Sequence, residues 1–278
     1  MIRNRHILIT GGAGSIGSEL TRQLVDKNKV YILDNNETAF FDLFEELKIN
    51  GKSIYGRVGD VRNIETLREI KQTFIPDLIF IAHAYKHVTP MEWFPEEAVN
   101  VNIIGLLNIL KVTKEWRIKD IVFISTDKVV NYNSVMGVSK RLCELIIRNA
   151  GFITVRFSNV LGSRGSIIPI WQRQIDQNKP LTITDEKMMR YFMTIEDACE
   201  LVIKAAEEGK GGEIYILDMG KQVNILEVAK KILKEIEKPD YPIKMIGIRP
   251  GEVLKEELMT EEEKKVAVKR GKFWVIKL

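Results

Sequence analysis

The stretch STDKVVNYNSVMGVSK, residues 125–140, sets a hydroxyl, a carboxyl and an amine in succession at Thr126, Asp127 and Lys128, with a second amine at Lys140. An acid and an amine at adjacent positions are the residue types that give and take protons in catalysis. To act near neutrality both would have to shift, Asp127 up and Lys128 down, through burial in a closed site. Four residues before Lys140 stands Met136, whose thioether neither takes nor gives a proton. Tyr132 lies eight residues before Lys140, in the loop ahead of a helix-like stretch. Taken alone, T-D-K also fits a surface turn with Asp127 capping and Lys128 solvated. Its place at the end of the apolar run DIVFIST argues against that reading.

A second constellation lies in ILITGGAGSIGSEL, where Gly11, Gly14 and Gly17 form G-x-x-G-x-x-G between an apolar run and a helix-like stretch. The chain must turn tightly out of a strand there, and its backbone must approach a pyrophosphate with no Cβ in the way. The helix opening at Ser15 and Ile16 supplies free N–H groups and a positive dipole end. The next apolar run, KVYILD, ends at Asp34 with Asn35 beside it; an acid there suits the two ribose hydroxyls of an adenosine. A 2′-phosphate would be repelled, and no Arg or Lys lies between Val30 and Leu47, so NAD is expected rather than NADP. Asp60 and Val61, after the third run, are placed to hold the adenine; Asp60 equally suits a turn or a helix N-cap. Ala82 and Ala84 in AHAYKHV are small, as residues beside a cofactor are, and Lys86 is a candidate contact to a sugar or to the proton path. His83 fits a satisfied strand-end histidine.

These residues need a scaffold, and the rest of the chain supplies one. HILIT, KVYILD, DLIFIAHA, DIVFIST and FITVRFSNV are mostly continuous apolar runs, as strands covered on both faces are. Amphipathic stretches such as SIGSELTRQLVDK alternate with them. The pattern implies an α/β fold, a Rossmann-type doubly wound parallel sheet with ligands bound along one edge. After about Asn159 the rhythm breaks into loop-rich sequence. The expected division is an NAD-binding domain over residues 1–158, with a segment of about 190–218 returning to it, and a smaller interwoven substrate lobe over 159–189 and 219–278. The formal charge of +4 in 278 residues is too small and dispersed to suggest nucleic acid. The two cysteines lack metal-site spacing and fit buried free thiols, and no metal is expected. No apolar run reaches the ~20 residues that span a bilayer, and MIRNRHILITGG has no signal-like segment. The expectation is a cytoplasmic protein with no membrane segment.

TGGAGSIGSEL, AHAYKHVTPME, NVNIIGLLNIL, STDKVVN, VMGVSKRLCE, RFSNVLGSRGSIIPIW, TITDEKMMRYFMT and IRPGEVLKEEL occur in this order along nearly the whole chain. In them the sequence resembles the extended short-chain dehydrogenase/reductase superfamily. Within it, it resembles the nucleotide-sugar 4,6-dehydratases of polysaccharide biosynthesis that act on UDP-N-acetylglucosamine. The resemblance implies C4 oxidation by NAD, loss of water across C5 and C6, and hydride return to C6. It matches Thr126, Asp127, Lys128, Met136 and Lys140 to the branch in which Lys follows Thr-Asp and Met replaces the usual tyrosine, a branch that retains the C5 configuration. On this likeness Asp127 is the acid, Lys128 the base, Thr126 a group that positions the 4-hydroxyl, and Lys140 a hydrogen-bond donor to the nicotinamide ribose. Asn102 resembles the helix asparagine that supports the cofactor site, and a plain polar position on a helix face is the alternative. Asn159, Arg164, Arg190 and Arg249 fall in motifs that meet the sugar and diphosphate, a task suited to the planar guanidinium. Glu252 is a candidate for the uridine ribose or a simple helix start, and Thr182, with Thr184, for backbone contacts to the uracil. Relatives usually assemble, so a homo-oligomer is expected. Many carry an N-terminal membrane region that this sequence does not show, which fits a soluble short form or a fragment. A nucleotide-sugar epimerase using transient C4 oxidation is the nearest alternative, and a non-catalytic NAD-binding regulator a third.

Overall fold

The computed structural model describes residues 2–277. Its frame is a nine-stranded sheet. In chain order the strands are β1 (His6–Thr10), β2 (Lys29–Asp34), β3 (Tyr55–Val58), β4 (Leu78–Ile81), β5 (Asp120–Thr126), β6 (Ile153–Phe157), β7 (Ile214–Leu217), β8 (Val268–Arg270) and β9 (Phe273–Ile276). They lie side by side in the order β8-β9-β7-β6-β5-β4-β1-β2-β3. β1 through β7 all run parallel, while β8 and β9 form an antiparallel hairpin on the far edge. The order reverses between β1 and β4, and crevices at such a reversal are where open α/β sheets bind ligands.

Alternation along the strands builds a core on each face. Ile7 and Ile9 of β1 pack with Leu20 and Leu24 of helix α1 (Ser15–Leu24), Leu43 and Leu47 of α2 (Glu37–Ile49), and the helix Ile195–Glu208. Leu8 of the same strand faces the other way, toward Leu67 and Ile70 of α3 (Ile64–Thr73). The helices Gly105–Trp116 and Val135–Asn149 complete that second face. Cys143 and Cys199 are both buried in these layers.

The smaller lobe has a core of its own: Trp171 and Ile175 of the helix Ile167–Asp176, Leu181 and Ile183, and Ile225, Ala229 and Leu233 of the helix Ile225–Glu235. Two short strand pairs stitch it together, Leu181–Ile183 with Ile243–Met245 and Met189–Arg190 with Val223–Asn224. One boundary differs from the expected one. Residues 268–276, expected in the smaller lobe, form the β8–β9 hairpin, because Phe273, Val275 and Ile276 bury their side chains against β7.

A buried ion cluster ties the two parts. Arg156 on β6 is fully buried and pairs with Glu144 of the helix Val135–Asn149 at 2.7 Å and with Glu263 at 2.7 Å. Glu263 also closes a capping box with Thr260 at the start of the helix Glu261–Val266. The helix that carries Lys140 and the C-terminal segment are thereby locked to one strand. Among the described residues no helix is long and apolar enough to cross a membrane.

Candidate active site

The glycine-rich turn leaves β1 at Gly11, whose φ of +68° is the left-handed conformation that favours glycine. A Cβ at Gly11 would lie 2.6 Å from the His83 backbone, and one at Gly17 would lie 2.1 Å from the Gly11 carbonyl oxygen. Gly14 is the extended N-cap of α1, so the first-turn N–H groups at Ser15, Ile16 and Gly17 have no intrahelical acceptors. Asp34, buried at the end of β2, accepts from Ala13 N (2.9 Å) in that turn and from Asn36 N (2.9 Å). It braces the turn and keeps acceptor lone pairs for hydroxyls. Asn35 beside it is exposed. Asp60 accepts from the backbone and guanidinium of Arg62. Burial pushes its carboxyl up, but the Arg62 pair outweighs that and holds it below the ordinary aspartate range. Val61 is buried against Gly105.

Ala82 and Ala84 follow β4, partly exposed along the same edge. Asn102 lies on a π-helical turn, Val99–Ile104, and is buried. Its side chain accepts from Tyr85 N (2.8 Å) and donates to Tyr85 O and Ser139 Oγ. It therefore clamps the loop after β4 to the residue next to Lys140. Lys140 is buried, donates to Ile124 O at 2.6 Å and stands 3.9 Å over the Phe123 ring. Burial pushes its ammonium down to about 8, against the pull of Cys143 and Glu144. His83 Nδ1 is 2.8 Å from Thr10 Oγ1, and desolvation together with the Lys140 charge pushes it down to about 3, so it is a neutral strand-end imidazole.

At the end of β5 the chain enters a single 3₁₀ turn, Asp127–Val129, capped by Thr126, whose hydroxyl also donates to Asp127 Oδ1 at 3.0 Å. The turn points Asp127 inward and half-buries Lys128. Lys128 Nζ lies 3.0 Å from Asp127 Oδ1, 2.9 Å from Glu256 Oε1 and 3.5 Å from Asn159 Oδ1. Ser158 Oγ contacts Asp127 Oδ2 and, at 2.9 Å, Glu256 Oε2. Asn159 Nδ2 donates to the same Glu256 oxygen at 2.8 Å. Arg190 Nε is 3.3 Å from Glu256 Oε1. Burial raises Asp127, and the Glu256 charge adds to that against the pull of Lys128. Burial opposes ionisation of Glu256 too, yet Lys128 and Arg190 hold it well below the usual carboxylate range.

The expected fall of Lys128 is reversed. Desolvation does lower its pKa, but the two carboxylates outweigh it and hold the amine above its ordinary value. Met136 is buried against Met91 and Ala98, while Tyr132 stands exposed in the loop.

The substrate-side residues divide. Lys86 is exposed on the loop after β4, and desolvation and the charges of Lys128 and Arg164 lower its pKa. Arg164 is exposed, with its backbone N–H on Ser15 Oγ at 3.1 Å, which brings that loop to the start of α1. Arg190 is not presented to an open anion site: it is turned onto Glu256 and the carbonyls of Met189 and Leu254. Thr182 does not offer backbone groups to a ligand either. Its N–H donates to Gln174 and its carbonyl accepts from Trp171 Nε1. Glu252 accepts from the Arg249 N–H at 3.1 Å, closing the turn on which Arg249 stands exposed. Two members of the central cluster, Ser158 and Glu256, were not singled out from the sequence. The Ser-Asn pair after β6 was the available signal for Ser158; for Glu256, among the acids of PGEVLKEEL, residue type and spacing offered none.

A glycine turn and an acid at the switch of a parallel sheet, with Thr-Asp-Lys one strand over and a buried lysine on the next helix, define an extended short-chain dehydrogenase/reductase. The chain belongs to the polysaccharide biosynthesis protein family, whose family model it matches over residues 7–278. It is 42% identical over 276 residues to the capsular polysaccharide biosynthesis protein CapD of Staphylococcus aureus, covering 94% of this chain and 46% of that relative. It thus spans about half of that relative's length. UDP-glucose 4-epimerase of Rickettsia bellii is 35% identical over 291 residues, covering 99% of this chain and 84% of its own length. The solved structure of Pen from Bacillus thuringiensis superposes with a TM-score of 0.93 at 33% identity, covering all of this chain and 88% of that one.

Proposed function

We propose that this chain is an NAD-dependent dehydratase that converts UDP-N-acetylglucosamine to a UDP-4-keto-6-deoxy sugar, retaining the C5 configuration, in surface polysaccharide or glycan synthesis. The observation that carries the reading is the Asp127–Lys128 pair, an acid and an amine 3.0 Å apart at the sheet edge. The glycine turn fits a dinucleotide, since a Cβ at Gly11 or Gly17 would collide with backbone and the first-turn N–H groups of α1 lack partners. Asp34 would meet the adenosine ribose, and the absence of Arg or Lys from Val30 to Leu47 favours NAD over NADP. NAD, held by the glycine turn, Asp34 and Lys140, would supply a hydride acceptor for C4 and a hydride donor for C6. Thr126 positions the 4-hydroxyl, whose proton passes to water as the C4 hydride leaves. Oxidation at C4 acidifies C5–H; Lys128, once deprotonated, takes that proton and returns one to C5 after hydride has reached C6, and Asp127 gives one to the departing C6 oxygen. Buried Met136 in place of a tyrosine supports the C5-retaining form. Lys86, Arg164 and Arg249 are exposed cations of the kind that would meet a diphosphate.

A C4 epimerase is the second reading, favoured by the epimerase name of a relative. It needs no acid for a C6 oxygen, and Asp127 would then have no task. Proton NMR with UDP-N-acetylglucosamine in D2O separates the two. The dehydratase gives a new C6 methyl signal with deuterium at C5; an epimerase gives a new anomeric signal and no methyl. Lys128→Ala is expected to bind NAD normally and to lose deuterium entry at C5. Exchange at the wild-type rate in that variant would remove Lys128 as the base.

A further inference from the structure

The proton count at Ser158 leads past the Asp127–Lys128 pair. A serine hydroxyl has one hydrogen. Ser158 Oγ is in hydrogen-bond contact with two carboxylate oxygens, Asp127 Oδ2 and Glu256 Oε2. It can donate to only one of them. The other donors around the cluster are already assigned. Lys128 Nζ reaches Asp127 Oδ1, Glu256 Oε1 and Asn159 Oδ1. Asn159 Nδ2 reaches Glu256 Oε2, Tyr191 O and, at 3.1 Å, Ser158 Oγ; Arg190 Nε faces Glu256 Oε1, and the Thr126 hydroxyl donates to Asp127 Oδ1. If both carboxyls were ionised, one carboxylate oxygen would face the lone pairs of Ser158 inside a buried site, at a cost of about 1–3 kcal/mol or more. A proton on one carboxyl removes the conflict.

We propose that Asp127 and Glu256 form a carboxyl pair joined through the Ser158 hydroxyl that holds one proton at neutral pH, and that Glu256 is the positioning residue keeping Asp127 a neutral acid. Two carboxyls sharing a closed site cannot both ionise freely. The cations are distributed so that the proton rests on Asp127. Arg190 and Lys128 both face Glu256, whereas of these two only Lys128 faces Asp127. The opposite pKa directions of the two groups agree with that placement.

The inference rests on the dehydratase reading for its purpose but not for its geometry. Once the Lys128 ammonium has released a proton to solvent, the step breaks the carboxyl O–H bond and forms an O–H bond on the C6 oxygen, which leaves as water. Lys128 takes the C5 proton, so a second carboxylate and a new ammonium appear together and the cluster's net charge is unchanged. Glu256 makes this possible by holding the acid loaded beforehand.

Infrared difference spectroscopy of the full chain at neutral pH tests the pair without substrate. A protonated-carboxyl C=O stretch is expected in the wild type and is lost in both Asp127→Asn and Glu256→Gln. Its absence from the wild type, or its survival in either variant, overturns the proposal. NMR with UDP-N-acetylglucosamine in D2O then tests the role. Glu256→Gln is expected to keep C5 exchange, which needs C4 oxidation and Lys128 but no acid at C6, and to lose methyl formation at least tenfold. A purely structural collapse would remove both signals, and methyl formation at the wild-type rate would overturn the role. Ser158→Ala checks the bridge by the same split, with Ser158→Thr, which keeps the hydroxyl, restoring methyl formation; wild-type methyl formation in Ser158→Ala overturns the bridge. If the wild type itself forms no methyl, the dehydratase reading fails while the infrared result still decides the shared proton.

Discussion

Lys140 is the residue at which function and stability are expected to oppose each other most directly. It is buried, with one carbonyl and one aromatic face as neighbours for its ammonium. Moving an amine from its ordinary 10.5 to about 8 corresponds to about 3 kcal/mol for keeping it charged in the folded protein. Lys140→Met removes that charge at similar volume. It also removes the bond to Ile124 O, which returns about 1 kcal/mol, and a cation–π contact worth up to another ~1 kcal/mol. The variant should therefore be about 1–2 kcal/mol more stable at neutral pH. The pH dependence is sharper. Lys140 has a depressed pKa in the folded state, so the unfolded chain binds the extra proton between about pH 8 and 10.5 and wild-type stability rises with pH across that window. The variant's advantage should be constant below about pH 8 and shrink by about 1.4 kcal/mol per pH unit above it. Urea unfolding at several pH values reads this from the midpoints, provided the slopes match. Parallel pH profiles for the two proteins would refute the burial cost assigned to Lys140. The same variant should bind NAD more weakly.

Gly17→Ala places a methyl group 2.1 Å from the Gly11 carbonyl oxygen, so the turn must open; loss of NAD binding with destabilisation by about 1–3 kcal/mol is expected, read by titration calorimetry and melting. Arg156→Leu leaves Glu144 and Glu263 buried without their main partner and should cost about 3–5 kcal/mol in urea unfolding at neutral pH. Arg156 overcomes the burial that would raise Glu263 and lowers it to about 2, so its contribution is complete above about pH 4.5 and is lost as pH falls toward 2. The Arg156→Leu penalty should shrink across that acid window, and a penalty independent of pH would mean that packing rather than charge is lost.

What the sequence discloses here follows from the range over which each signal acts. Continuous apolar runs and the glycine turn are local, and they were enough for the parallel sheet and for the edge where Gly11, Asp34, Thr126 and Lys140 gather. The β8–β9 hairpin was misplaced because KFWVIKL is a short run whose partner, β7, lies about sixty residues earlier. Charge states were less accessible still. Burial alone argues for a lowered Lys128 amine, and in the sequence the one acid beside it is Asp127. The structure adds Glu256 from more than a hundred residues away, and two carboxylates outweigh desolvation. For Lys128 to act as base, its proton must therefore leave before or during turnover. Asp127 already holds the proton of the carboxyl pair, so the Lys128 proton leaves to solvent rather than to this neighbour 3.0 Å away. Acid and base then work side by side in one cluster: Asp127 serves the C6 oxygen, and the freed Lys128 lone pair serves C5. Glu256 and Arg190 bias the balance, Glu256 by repelling charge on Asp127 and Arg190 by keeping Glu256 ionised. The adjacent acid and amine legible in STDK work as a pair only because a distant carboxylate, indistinguishable in sequence from its neighbour Glu257, is folded against them.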